Sequence, residues 1–239
     1  MDKIYVALDT VSLEEAQNLA SLLKGKIGGV KLGKEFFTAH GPQGVKVISR
    51  EGLPIFLDLK FHDIPNTVAK ACVNASNMGI WMLNVHALGG KEMLVAARES
   101  IPRGQGNPLL IAVTILTSLD DSDLLELGFN EALNPLVNNL TRLAKISHYD
   151  GVVCSAKEAF EIRAILLITD RAGEDCAPIH IGIGLCRGRG LIPTSLISCH
   201  LPLKFNFSCC HNWFKSDICS SQIKPLCWKF ALENRYSSS

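Results

Sequence analysis

Short apolar strands alternate with amphipathic helices six times between residues 3 and 166, and the strand ends repeatedly present a charged or hydroxyl residue. Such alternation predicts parallel βαβ units. Their number and spacing predict an α/β fold of the (β/α)8 TIM-barrel type, with the last two βα units doubtful or missing. A chain of 239 residues that is 47% hydrophobic can bury one sizeable core, and such a barrel is one domain at about 250 residues. A doubly wound open sheet is the alternative, but no Gly-rich dinucleotide turn supports it.

Lys3–Leu8 reads as the first strand, ending at Asp9. Ser12 and Glu15 have the spacing of a capping box. Leu13, Ala16, Leu19, Ala20, Leu22 and Leu23 then form the apolar face of a helix that Gly25 is placed to end. Ile27–Leu32 is the second strand and carries Lys31 near its end. Helical patterns over Glu35–His40 and Gln43–Arg50 lead to Gly52 and a third strand from Ile55. Pro65–Met78 is the next helix, Trp81–His86 the fourth strand, and Gly89-Gly90 opens a helix through Ser100. Leu109–Leu116 is a nearly continuous apolar run, as in a strand buried on both faces. Asp120–Leu127 and Pro135–Ile146 are helical, Gly151–Cys154 is the sixth strand, and Ala156–Leu166 its helix.

From Leu167 the rhythm fails. Leu167-Ile168-Thr169 has the character of a strand start, but no alternation follows. Seven of the nine cysteines and nine serines fall in the final stretch, with no C-x-x-C pair to suggest a metal site. Ser195, Ser198, His200 and Ser208 are explained by that composition without a hydrolase triad. The domain reading is a barrel portion over 1–166 and an atypical Cys/Ser-rich tail over 167–239, frameshifted or disordered. Cys72 and Cys154 read as buried thiols of a reduced compartment.

A net charge of +1 with no Lys/Arg-rich run argues against a nucleic-acid partner. The N-terminal MDKIYVALD lacks a signal-like basic and apolar segment, and the uncharged run Ala71–Gly90 is broken by Asn74, Ser76, Asn77, Asn84 and His86. The expectation is a soluble cytoplasmic protein without membrane contact.

The stretch Ile55–Thr67, IFLDLKFHDIPNT, concentrates the chemistry. A strand's two-residue period puts Asp58 and Lys60 on one face. Asp63 follows in the turn before Pro65, whose fixed φ suits the first turn of a helix. Taken alone, Asp58 and Lys60 could be a salt bridge plugging a strand end, with Asp63 capping the next helix. Asp9, Lys31, and Thr117 with Ser118 stand after other apolar runs, so together they form a charged set converging on the C-terminal face of a barrel.

The string DLKFHDIPNT matches the signature of orotidine 5′-phosphate decarboxylases, and the chain resembles the bacterial type from about Ile4 to about Ile165. The resemblance implies conversion of orotidine 5′-phosphate to uridine 5′-phosphate and CO2, in pyrimidine synthesis, with no metal or organic cofactor. It implies that Lys60 donates a proton to C6 of the pyrimidine, that Asp58 lies beside the departing carboxylate, and that Lys31 orders the array and contacts the ribose. Asp9 would hold ribose hydroxyls, and Thr117 and Ser118 would face the base. Asp63 and Thr67 would serve the neighbour's site in a homodimer with shared active sites. His62 and His86 are read as structural. The family's phosphate turns, Pro-Gly-Ile-Arg after strand seven and Gly-Arg after strand eight, are not found in register; Thr169-Asp170-Arg171 and Gly188-Arg189 are poor matches. Two rivals stand beside this reading: a related barrel enzyme acting on a sugar phosphate with a divalent metal, and an incomplete barrel without activity.

Overall fold

The computed structural model describes residues 4–104, 106–155, 157–167, 179–185 and 195–200. Strands β1 (Ile4–Ala7), β2 (Gly29–Gly33), β3 (Ile55–Phe61), β4 (Met82–His86), β5 (Leu109–Val113) and β6 (Gly151–Cys154) are parallel and pair in chain order. Helices α1 (Leu13–Leu23), α2 (Lys34–Ser49), α3 (Pro65–Ser76), α4 (Gly90–Ser100), α5 (Asp121–Glu126), α6 (Leu133–Ile146) and α7 (Ala159–Leu167) connect and follow them.

The sheet closes differently from its first six strands. β7 (Ile179–Leu185) runs parallel to β6, whereas β8 (Ser195–His200) is antiparallel to both β7 and β1 and completes a closed barrel. The edges of β6 and β1, which a barrel lacking its last two strands would leave open, are therefore paired. The expected seventh-strand start at Leu167 is instead the last residue of α7, and the strand comes at Ile179. Ile168, Thr169, Asp170, Arg171, Gly188, Arg189 and Ser208 lie outside the described residues, as do the tail cysteines other than Cys199, which falls in β8.

Period-two alternation divides the strands' side chains into two layers. Tyr5, Phe56, Met82, Ile111, Val113 and Val153 form an inner cluster joined by Trp81 and Leu109, with Tyr5 and Trp81 stacked at 4.9 Å. The alternate residues, among them Val30, Leu32, Ile55, Leu57, Leu83, Val85, Leu110, Ala112 and Val152, join the larger cluster with Phe36, Ile48, Val68, Met93, Leu94 and Leu140 of the helices. The inner cluster fills the barrel, and the polar residues further along the same strands lie above it.

Local signals act mostly as the sequence implies. Ser12 caps α1 by accepting from the Glu15 N–H at 3.2 Å, but the Glu15 carboxylate accepts from Thr10 Oγ1 at 2.6 Å, so the box is half formed. Leu22, placed on the apolar face, is exposed. α2 is two helical segments merged across Gly41 (φ 55°) and Pro42. β5 ends at Val113, three residues short of the apolar run's end, because Ile115 leaves the ladder yet stays buried. A reciprocal capping box of Asp120 and Asp123 starts α5. Cys72 and Cys154 are buried free thiols, each pushed up to about 12 by burial.

The far end of the barrel is tied by Asp150. Its Oδ2 accepts from Arg98 at 2.7 Å and from the Leu110 N–H at 2.8 Å, and its Oδ1 pairs with Arg103 at 3.1 Å. Removing one partner of a buried pair leaves the other charge uncompensated. Asp150→Ala, which deprives two guanidinium groups and one strand N–H, is expected to cost about 3–5 kcal/mol of unfolding free energy. Urea denaturation measures it; a loss below about 1 kcal/mol would show the network to be dispensable.

Candidate active site

The site is a chain of alternating charges at the C-terminal rim. Lys31, buried in β2, places Nζ 3.2 Å from Asp9 Oδ1 and 3.4 Å from Asp58 Oδ2. Asp58, buried in β3, accepts at Oδ1 from Lys60 Nζ at 2.6 Å. The order is Asp9, Lys31, Asp58, Lys60, and each neighbour has the opposite sign. Gly33 makes room for it: a Cβ there would come within 3.1 Å of Lys31 Nζ and 3.4 Å of Asp9 Oδ1.

Lys60 does not reach Asp58 along a regular strand. Its φ is 52°, in the left-handed region, and the β3–β4 register shifts between Leu57 and Phe61. For a residue with a Cβ this conformation costs about 1–2 kcal/mol. Two polar contacts from β4 hold it. The Lys60 N–H donates to Asn84 Oδ1 at 2.8 Å, and Asn84 Nδ2 donates to Asp58 Oδ1 at 2.7 Å. Asn84 was not singled out from the sequence, where it figured only as a break in an uncharged run. The signal that could have found it is an amide two residues before His86 in an otherwise apolar strand.

Burial pushes Asp58 upward, but the Lys31 and Lys60 ammonium groups, with the hydrogen bonds from Lys60 and Asn84, outweigh it and hold its carboxyl below the ordinary value of 3.8. Asp58 is thus ionised at neutral pH despite its burial.

The structure brings together four of the eight expected residues: Asp9, Lys31, Asp58 and Lys60. Asp63 and Thr67 are exposed, beyond the end of β3 and in the first turn of α3. Asp63 Oδ1 accepts from the Ile64 N–H at 2.7 Å, while the N-cap is Ile64, with no side-chain cap, so Asp63 is not the helix cap. Thr117 and Ser118 are exposed in the turn after β5. His62, exposed, stacks on His86 with ring centroids 5.3 Å apart.

The comparisons fit this geometry. Residues 2–191 match the family model described as orotidine 5′-phosphate decarboxylase / HUMPS family. The chain belongs to this family. The match runs past Ile165, where the resemblance had been expected to end. Relatives in the orotidine 5′-phosphate decarboxylase / HUMPS family include the orotidine 5′-phosphate decarboxylase of Idiomarina loihiensis, 52% identical over 66% of this chain and 69% of its own length. That of Nitrosomonas eutropha is 48% identical over 76% of this chain and 75% of its own. Among solved structures, orotidine 5′-phosphate decarboxylase from Lactobacillus acidophilus is 37% identical with a TM-score of 0.63, over 69% of this chain and 76% of that one. No helix among the described residues is long and apolar enough to cross a membrane.

His86 links the stability of the fold to pH. Burial, then the neighbouring His62, Lys60 and Lys34, lower it from 6.5 to about 4. The folded form therefore keeps the ring neutral between pH 6.5 and about 4, where an unfolded chain would protonate it. Unfolding takes up a proton in that window, so stability falls as pH falls through it. Urea midpoints at pH 7, 6 and 5 are expected to decline, and His86→Gln is expected to flatten the decline; equal slopes would remove His86 as its source.

Proposed function

We propose that this chain is an orotidine 5′-phosphate decarboxylase, a carboxy-lyase of pyrimidine biosynthesis acting in the cytoplasm. The observation that carries the reading is Lys60 Nζ held 2.6 Å from a buried, ionised Asp58, with Lys31 on the other carboxylate oxygen. It is supported by family membership and by relatives bearing that name.

The chemistry follows from where the charges stand. Breaking the bond between C6 and the carboxylate releases CO2 and leaves an electron pair on C6. That pair lies in an sp² orbital with no adjacent carbonyl to receive it. The Lys60 ammonium stabilises the developing charge and then delivers its proton to C6, forming the C–H bond of the product. Asp58 sets a fixed negative charge beside the substrate carboxylate and disfavours the bound ground state. Lys31 balances Asp58 and, with Asp9, contacts the ribose; Thr117 and Ser118 face the base.

The same reading makes the protein a homodimer. Asp63 and Thr67 are exposed on one short stretch beside Ile64, an apolar residue that is 67% exposed, which suits residues that serve a partner's site. Residues 1–166 carry this chemistry, and 167–239, of separate composition, supply the two strands that close the barrel.

One observation favours a weakened version of the enzyme. Because β8 is antiparallel, its end at His200 lies beside the N-terminal end of β1, where Ile4 pairs with Ser198. The C-terminal end of β8 is thus at the rim opposite the site. The resemblance implies a phosphate turn after an eighth strand at the catalytic rim, and remote phosphate binding lowers the barrier as well as substrate affinity.

The test is CO2 release from orotidine 5′-phosphate by this chain and by one whose residues after Ile165 are replaced with a family-typical ending. Turnover is expected in both, and lower kcat/KM in the natural ending. Lys60→Ala is expected to lower kcat by about a thousandfold or more in either background while the fold is retained. Near-normal turnover by Lys60→Ala would defeat the assignment. The shared site is tested by mixing inactive Lys60→Ala chains with inactive Asp63→Ala chains. Heterodimers carry one unmutated site, so partial activity is expected; continued inactivity in demonstrably mixed dimers would place Asp63 outside the partner's site.

A further inference from the structure

Asn84 is 1% exposed and sits in β4 between the inner-layer residue Met82 and His86. Its two contacts have opposite requirements. An ionised carboxylate only accepts hydrogen bonds, and a backbone N–H only donates. The group between Asp58 Oδ1, at 2.7 Å, and the Lys60 N–H, at 2.8 Å, must donate to one and accept from the other. A primary amide does both at once. An aspartate of the same size would accept from Lys60 but set a second negative charge against Asp58, and a leucine would satisfy neither.

Both partners belong to the array, and both meet at Lys60. The amide oxygen takes the N–H of a residue at φ 52°, across a stretch where the β3–β4 register shifts. The amide nitrogen fixes the same Asp58 oxygen that binds Lys60 Nζ at 2.6 Å. We propose that Asn84 is a positioning residue that sets Lys60 from both ends, holding its backbone in the left-handed conformation and orienting the carboxylate its ammonium rests on. Its kinetic consequence rests on the decarboxylase reading; its effect on Asp58 does not.

The experiment compares the full chain with Asn84→Leu and Asn84→Asp. Leucine removes both hydrogen bonds at similar volume, and aspartate keeps only the acceptor. Turnover of orotidine 5′-phosphate is expected to fall about a hundredfold in kcat, the scale of a misplaced reacting group, with KM changed by less than about threefold. Carboxyl ¹³C NMR is expected to show Asp58 titrating at higher pH in both variants, because the Asn84 hydrogen bond that favours its ionised form is gone. Amide ¹H–¹⁵N spectra identify which variant keeps the native fold, and that variant decides. Unchanged kcat, or an unmoved Asp58 titration, in a folded variant overturns the proposal. If the natural chain releases no CO2, the decarboxylase reading fails by itself, and the Asp58 titration still decides for or against Asn84.

Discussion

A carboxylate buried at Asp58 is the constraint from which the rest of the site follows. Removing an ion from water costs several kcal/mol even after relaxation, so Asp58 can stay charged only if cations and donors surround it. Three neighbouring elements supply them: β2 brings Lys31, the irregular end of β3 brings Lys60, and β4 brings Asn84. The geometry of each element bends to that need. Gly33 lacks a side chain where one would press on Lys31, and Lys60 adopts a conformation that most residues avoid.

The barrel makes such an assembly possible because parallel strands end together. Tyr5, Phe56, Met82, Ile111, Val113 and Val153 fill the interior with apolar volume, and two residues further along β3 and β4 the same inward positions carry Asp58 and Asn84. The apolar plug closes the barrel beneath the charges and keeps the local dielectric low, which strengthens every pairing above it. The outer layer, packed on the helices, is indifferent to this chemistry. That separation lets period-two alternation encode a core and a site on the same strands.

Much of this was legible because it is local. The strand order through β6, Pro65 at the start of α3, the Ser12 cap and the pairing of Asp58 with Lys60 depend on residues close in sequence. What escaped depends on partners far along the chain. Asn84 is 26 residues from Asp58, and an amide in an apolar strand does not by itself name the partners it serves. Leu22 fits the helical period but falls on the edge of the buried stripe and is exposed. The end of β5 is set by where the ladder with β6 stops, at Val113, although the apolar run continues. The proximity of Asp58 and Lys60 was read from strand period, yet it depends on the backbone break at Lys60, which alternation does not predict.

The direction of β8 was illegible for a related reason: no helical pattern announces whether a strand is reached by a crossover or by a direct return. The consequence is chemical. In a barrel with every strand parallel, each strand delivers its following residues to the catalytic rim. Reversing one strand closes the hydrogen-bond circuit, since β8 satisfies the edges of both β7 and β1, yet puts the C-terminal end of that strand at the other rim. Closure and function are thus separable. A barrel can satisfy its backbone, and hold Asp9, Lys31, Asp58 and Lys60 in order, with its last strand running against the other seven.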